Sequence, residues 1–298
     1  MPRFLRQHPP LALFTLLMTA VTLVSLLGLV LDDRILVGSP IWFKPFKFGV
    51  SLALYGVTLA WMLTFTTRLR RTTWWAGTVV AVAGTLEMVI VVGQVVRGRQ
   101  SHFNALTPFD ATLFQVMGVT IAVVWVMHAL IAAALLRSRF TDRTAGLAIR
   151  LGLVLGLVGL ALGALMTGPT DVPGIVGAHT VGLPDGGPYL PVTGWSTAGG
   201  DLRVPHFVGI HALQVVPLLT TAFGRRANPR LVWVLALSYA GLVALVLWQA
   251  LRGQPLFRPD GTTLLALLGL VVATGAAGWW ALRARPAPAP AAKEVVAA

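Results

Sequence analysis

The chain has 298 residues, 56% of them hydrophobic and 11% charged, with a mean hydropathy of +0.79. A soluble protein carries about twice that charged fraction, so a water-soluble globular domain is excluded. The formal charge of +13 points toward nucleic acid as a bare number, but its placement, taken up below, points away from that partner. There are no cysteines, which excludes disulfides, thiolate metal ligands and dithiol relays.

Nearly charge-free runs of about 20 residues mark membrane helices, because the bilayer leaves every backbone polar group to be satisfied within the helix. Eight such runs follow one another: 11–31, 48–67, 74–96, 111–136, 146–167, 206–223, 231–251 and 262–282. The expected fold is an all-α integral membrane protein of eight transmembrane helices. The first run is as long as the others and lacks a small-residue cleavage site, so it reads as a span rather than a cleaved signal. Arg3 and Arg6 precede the first span. Arg68, Arg70 and Arg71 follow the second, and Arg137, Arg139 and Arg143 the fourth. Arg225, Arg226 and Arg230 follow the sixth, and Arg283, Arg285 and Lys293 the eighth. Arginine clusters at alternate ends predict a bacterial inner-membrane protein with both termini in the cytoplasm. The charge then encodes topology, the bilayer is the partner, and no nucleic acid is expected. The Pro/Ala-rich tail, 286–298, is expected to be disordered.

A phrase recurs. VVGQVVRG (91–98) and VLWQALRG (246–253) each close an apolar run and are each followed by an aspartate opening the next. The offsets between matched signposts fall smoothly: 160 at Pro45/Pro205, 155 at Gln94/Gln249, 150 at Asp110/Asp260 and 146 at Arg137/Arg283. Two parallel four-helix units are expected, 1–144 and 145–285, related by an axis along the membrane normal. Compositional likeness between apolar helices is the competing explanation.

The copies differ at chemically expensive positions. Glu87 stands where the second copy has Leu242, His211 where the first has Ser51, and His128 where the second has Thr274. At ~1.5 Å per residue, Gln94, Gln115, His211, Gln214 and Glu87 fall between ~5 and ~15 Å from the outer helix ends. A carboxylate at that depth must face the bundle or a wet cavity. The expected site is an outward-facing pocket of Glu87, Gln94, Gln115, His211 and Gln214. Glu87 would serve as catalytic acid/base with His211 as its partner; ordinary interhelical hydrogen bonding is the alternative. Lys44, Lys47, Arg97, Arg99 and Arg203 would form a cationic lip binding an anionic head group, or else the lysines snorkel in an aromatic belt. His102, His206 and His211 could share a metal ion, though without the i, i+4 spacing of a strong motif. His128 reads as a satisfied bundle histidine, and His8 and His179 carry no signal. The loop 168–204, with nine Gly and five Pro, could close over the mouth as a lid or be an ordinary surface loop.

Three stretches, IWFKPFKFGVS, RGRQSHFNALTPFDATLF and GGDLRVPHFVGIHALQ, resemble a group of uncharacterised bacterial multi-pass membrane proteins. The layout of eight helices in two units also resembles heme A synthase. That resemblance implies heme held by histidines on even-numbered helices. Here the second and eighth helices have none, the fourth has only His128 at a different depth, and the outer cysteine pair is missing. Three functional readings follow. The first is a membrane-embedded enzyme acting on a lipidic or anionic amphiphilic substrate. The second is a proton-coupled transporter or permease. The third is a heme- or metal-containing redox protein linked to quinone.

Overall fold

The computed structural model describes residues 2–283; Arg285, Lys293 and the tail 286–298 lie outside the described residues. The eight expected spans are eight helices: α1 (Pro9–Leu31), α2 (Phe43–Leu63), α3 (Arg70–Val96), α4 (Pro108–Leu136), α5 (Arg143–Leu162), α6 (Arg203–Ala222), α7 (Pro229–Leu251) and α8 (Gly261–Arg283). Each is long and apolar enough to cross a membrane, α5 together with the 3-10 turn Gly163–Met166 that extends it. Among the described residues, strand is confined to two short antiparallel pairs in loops. β1 (Ile35–Leu36) pairs with β2 (Ser39–Pro40), and β3 (Thr180–Val181) pairs with β4 (Gly200–Asp201).

Side-chain caps mark the starts of α1, α4, α5 and α7, and the helix starts do not all follow the apolar runs. Helix α2 begins at Phe43, five residues before the apolar run, so Lys44 and Lys47 are helical. Pro45 is tolerated there because first-turn N–H groups have no intrahelical acceptor. Helix α4 begins at Pro108 behind Thr107, whose hydroxyl accepts from the Asp110 N–H. Helix α1 is capped by His8: its Nδ1 accepts from the Leu11 N–H at 3.2 Å, while Nε2 donates to the Trp74 carbonyl of α3 at 2.9 Å. His8 thereby both caps one helix and ties it to another, a role the sequence left unread.

Helix α1 packs on α2 and α3, α2 on α3, and α3 on α4; in the same order α5 packs on α6 and α7, α6 on α7, and α7 on α8. Helix α4 against α5 joins the two halves. The main core lies in the first half and reaches the second through Ile149, Leu153 and Leu213. The tightest pair is α5 with α6. A Cβ on Gly159 would lie 2.1 Å from the Gly209 carbonyl carbon, so the two backbones touch. Small residues at such crossings let helices pack by close van der Waals contact where lipid supplies no hydrophobic drive.

The recurring phrase is a clasp. Gln94 Nε2 donates to Asp110 Oδ1 at 2.9 Å, and the Arg97 guanidinium donates to Gln94 Oε1 and, at 2.8 Å, to Asp110. In the second half Arg252 pairs with Asp260 at 2.5 Å, and Gln249 Nε2 donates to the Pro255 carbonyl at 2.7 Å. The aspartates differ in register. Asp110 is the third residue of α4, whereas Asp260 precedes α8 and caps it through the Thr263 N–H. Each clasp ties the end of one helix to the start of the next.

Candidate functional site

Glu87 lies within α3 and its side chain is 1% exposed. Oε2 accepts from the Thr120 hydroxyl of α4 at 3.2 Å. Oε1 has no hydrogen-bond partner and stands 3.5 Å from Nε2 of His102. His102 belongs to the segment 97–107 that joins α3 to α4. Aromatic rings hold it in place: Phe48 of α2 lies edge-on at 5.5 Å, with Phe103 at 6.1 Å and Phe114 at 6.5 Å. Its Nδ1 is 3.2 Å from Ser101 Oγ. Burial, together with the charges of Lys44 and His179, holds His102 well below the ordinary histidine value, so the ring is neutral at pH 7. A neutral imidazole and a buried carboxyl group are thus set side by side. Such a pair can hold or pass a proton in a low-dielectric surrounding.

The long loop closes over this centre. Its His179 ring lies edge-on to Phe103 at 4.9 Å, and the Val176 N–H donates to the Phe103 carbonyl at 2.9 Å. Asp185 anchors the loop by accepting from the His179 ring at 2.6 Å, from the His179 and Thr180 N–H groups and from the Thr180 hydroxyl. Burial opposes the charged form of Asp185. The hydrogen bond and charge of His179, with the His179 N–H and Thr180 hydroxyl, outweigh it and hold the carboxyl well below the carboxylate range. Lys47 donates to the Thr193 carbonyl at 2.8 Å and lies 4.3 Å from the Phe43 ring centre. Arg203 pairs with Asp201 and donates to the Gly194 carbonyl at 2.6 Å.

Deeper in the bundle, one face of α2 carries a series of polar contacts. Residues 44, 48, 51, 55 and 58 are spaced four, three, four and three apart and therefore share that face. The Tyr55 hydroxyl lies 2.9 Å from His128 Nδ1. His128 Nε2 lies 3.3 Å from the Leu153 carbonyl of α5, which can only accept, so Nδ1 accepts from Tyr55. Gln214 Nε2 of α6 donates to the Thr58 hydroxyl at 3.2 Å, and His211 Nδ1 donates to Gln214 Oε1 at 3.3 Å. His211 Nε2 is buried without a partner, and Phe207 lies against the ring at 4.3 Å.

The arrangement redraws the expected site. Glu87 faces His102 rather than His211, because the segment joining α3 to α4 folds back over the end of α3 and reaches the carboxyl first. Among the described residues no ion pair joins Glu87 to His211. Gln94 and Arg97 belong to the α3–α4 clasp, where both donate to buried Asp110. Gln115 is exposed on α4, since its side chain points away from α3. Arg203 pairs with Asp201, Arg97 with Asp110, and Lys47 donates to the loop, which leaves Lys44 and Arg99 as the lip cations without an ion pair among the described residues. His102, His206 and His211 do not converge. His206 Nδ1 donates to the Gly159 carbonyl at 2.8 Å and His211 binds Gln214, and no cluster of three metal-ligating side chains occurs among the described residues. His128 is satisfied on both nitrogens, as its reading as a bundle histidine required. Sequence reasoning missed His102 as the partner of Glu87, and Thr120 and Tyr55 altogether. The readable signal was sequence proximity: SHFN lies in the segment that leaves the only helix bearing a glutamate in its apolar run. Compared with family models, curated proteins and solved structures, the chain matches none of them.

Proposed function

We propose that this is a bacterial inner-membrane protein whose Glu87–His102 centre, covered by the long loop on the outer side, performs acid–base chemistry on a lipidic or anionic amphiphilic substrate. The observation that carries this reading is the orphaned Glu87 Oε1, buried and 3.5 Å from a neutral imidazole. A buried acceptor without a partner costs about 1–3 kcal/mol; a bound substrate that donates to it relieves that cost. Glu87 would take or give the proton, His102 would share it, and Lys44 would hold the anionic group. The Tyr55–His128–Leu153 and Thr58–Gln214–His211 contacts knit the helices together further in, which favours access from one side. The alternating arginines support the orientation. The matching helix partners of the two halves and their two clasps support a duplicated four-helix unit.

The experiment incubates the protein in nanodiscs of bacterial lipid extract and follows lipid composition by mass spectrometry. Wild type should consume an anionic lipid or convert it to a new species. Glu87→Gln should slow this by about 10²-fold or more, the range of general acid–base catalysis. An unchanged lipid profile, or equal turnover by Glu87→Gln, rejects the reading. A second reading, proton-coupled transport, is favoured by the polar face of α2 continuing past the centre to Thr58. A proton flux in sealed liposomes that Glu87→Gln abolishes, with no lipid turnover, would select it.

A further inference from the structure

Between α7 and α8 lies a crevice of about 310 Å³, lined by Leu242, Leu245, Val246, Leu256, Phe257 and Leu267. This volume falls within the roughly 300–1,000 Å³ typical of ligand sites. Its polar neighbours are occupied: Gln249 Nε2 donates to the Pro255 and Leu256 carbonyls, and the Thr263 hydroxyl donates to Gln254. A cavity with no free polar partner stays dry and takes an apolar guest. The crevice opens on the side of α8, the helix with the smallest buried share of the eight, 6%. Phe257, 71% exposed, stands at its rim.

The corresponding positions in the first half are covered. Counting back from the matched clasps, Leu245 and Val246 correspond to Ile90 and Val91, and Leu267 corresponds to Met117; all three counterparts are buried. The segment joining α3 to α4 is also longer than the one joining α7 to α8. The shorter connection leaves the second crevice unfilled by the chain itself. At its mouth, between the lining residues Phe257 and Pro259, is Arg258. It is exposed and has no ion pair among the described residues, whereas neighbouring Arg252 is held by Asp260. An apolar slot between two membrane-crossing helices, with an unpaired cation in the loop at its mouth, matches one chemistry, an acyl chain below a phosphate.

We infer that the α7–α8 crevice is a binding site for one acyl chain of an anionic phospholipid, with Arg258 on its phosphate. This site is separate from the Glu87 centre and does not depend on its chemistry.

The test places the full-length protein in phosphatidylcholine nanodiscs doped with phosphatidylglycerol bearing a diazirine in its acyl chain; phosphatidylcholine with the same chain forms the second arm. After irradiation, labelled peptides are mapped by mass spectrometry. Label should concentrate on 242–267 and favour phosphatidylglycerol. Arg258→Ala should reduce that preference about fivefold, the worth of one basic group at an anionic surface. Leu267→Trp and Leu242→Trp, each filling the slot, should abolish the label there, while Leu264→Trp, on α8 outside the lining, should not. Elution profile and thermal melting of each variant establish that it is folded, and two filling variants guard against loss of one. Label spread evenly over all the lipid-facing helices, or undiminished in a folded filling variant, would reveal an ordinary surrounding lipid and overturn the inference. Equal labelling by both probes would overturn the role of Arg258.

Discussion

Glu87 Oε1 and His102 Nε2 face each other at 3.5 Å with no hydrogen bond to Oε1, while Oε2 of the same carboxyl group accepts from Thr120 at 3.2 Å. Half of the carboxyl group is held as a structural acceptor and half is left open toward a neutral ring. Interhelical glue satisfies both oxygens, because each buried donor or acceptor left alone weakens the fold. The proposed acid–base role rests on this asymmetry.

Glu87→Gln keeps the shape, and its Oε1 can still accept from Thr120 while its amide nitrogen points at His102. The variant should fold, with a melting temperature in detergent equal to or above that of the wild type, since it removes a charge from a dry environment. A clearly lower melting temperature would mean that the carboxylate stabilises the bundle and that the glue reading is correct.

His8 links pH to stability. Its Nδ1 must accept from Leu11 and its Nε2–H must donate to Trp74, so only the neutral ring fits. Burial lowers its pKa from the ordinary 6.5, against the opposing pull of the Trp74 carbonyl. The unfolded chain therefore binds this proton first. The contribution is full above pH 6.5 and is lost as pH falls through the lower folded value. His8→Ala should cost about 1 kcal/mol for the cap and a similar amount for the bond to Trp74. Melting curves at about pH 7.5 and about pH 5.5 should show wild type losing more of its stability in acid than His8→Asn, which keeps a cap without a titrating ring. Equal acid loss in both proteins would sink the assignment.

The α5–α6 crossing makes a graded prediction. A Cβ at Gly159 meets Gly209 backbone at 2.1 Å; at Gly156 the nearest atom is at 3.5 Å; at Gly118 nothing lies within 4 Å. Gly159→Ala must part the helices and break the His206 bond to the Gly159 carbonyl, at a cost of about 3 kcal/mol or more. Gly156→Ala should be tolerated. Gly118→Ala should gain up to about 1 kcal/mol from helix propensity. Thermal melts of the three variants check the order; a mild Gly159→Ala would place the helices further apart than described.

Much of the fold was legible in the sequence because the bilayer imposes a one-dimensional rule. A chain that must satisfy its own backbone over ~30 Å writes each crossing as an apolar run, and all eight runs are helices. The recurrence of Gln, Arg and Asp was equally readable, since a clasp between consecutive helices joins residues near in sequence. The helix starts were less so: Phe43, Pro108 and Arg203 are fixed by proline and hydroxyl chemistry in the first turn, not by hydropathy. The sequence also marked Glu87 as costly, and burial bears that out. What it could not supply was the partner. Periodicity tells which residues share a face of one helix, but not how far a connecting segment folds back or which neighbour a face meets. His102 reaches Glu87 because an irregular segment is pinned by Phe48, Phe103 and Phe114, and His206 is unavailable because the Gly159–Gly209 contact brings the α5 carbonyl to its ring. Both are consequences of packing in three dimensions, where contacts between distant residues are decided by shape and by which polar group is reached first.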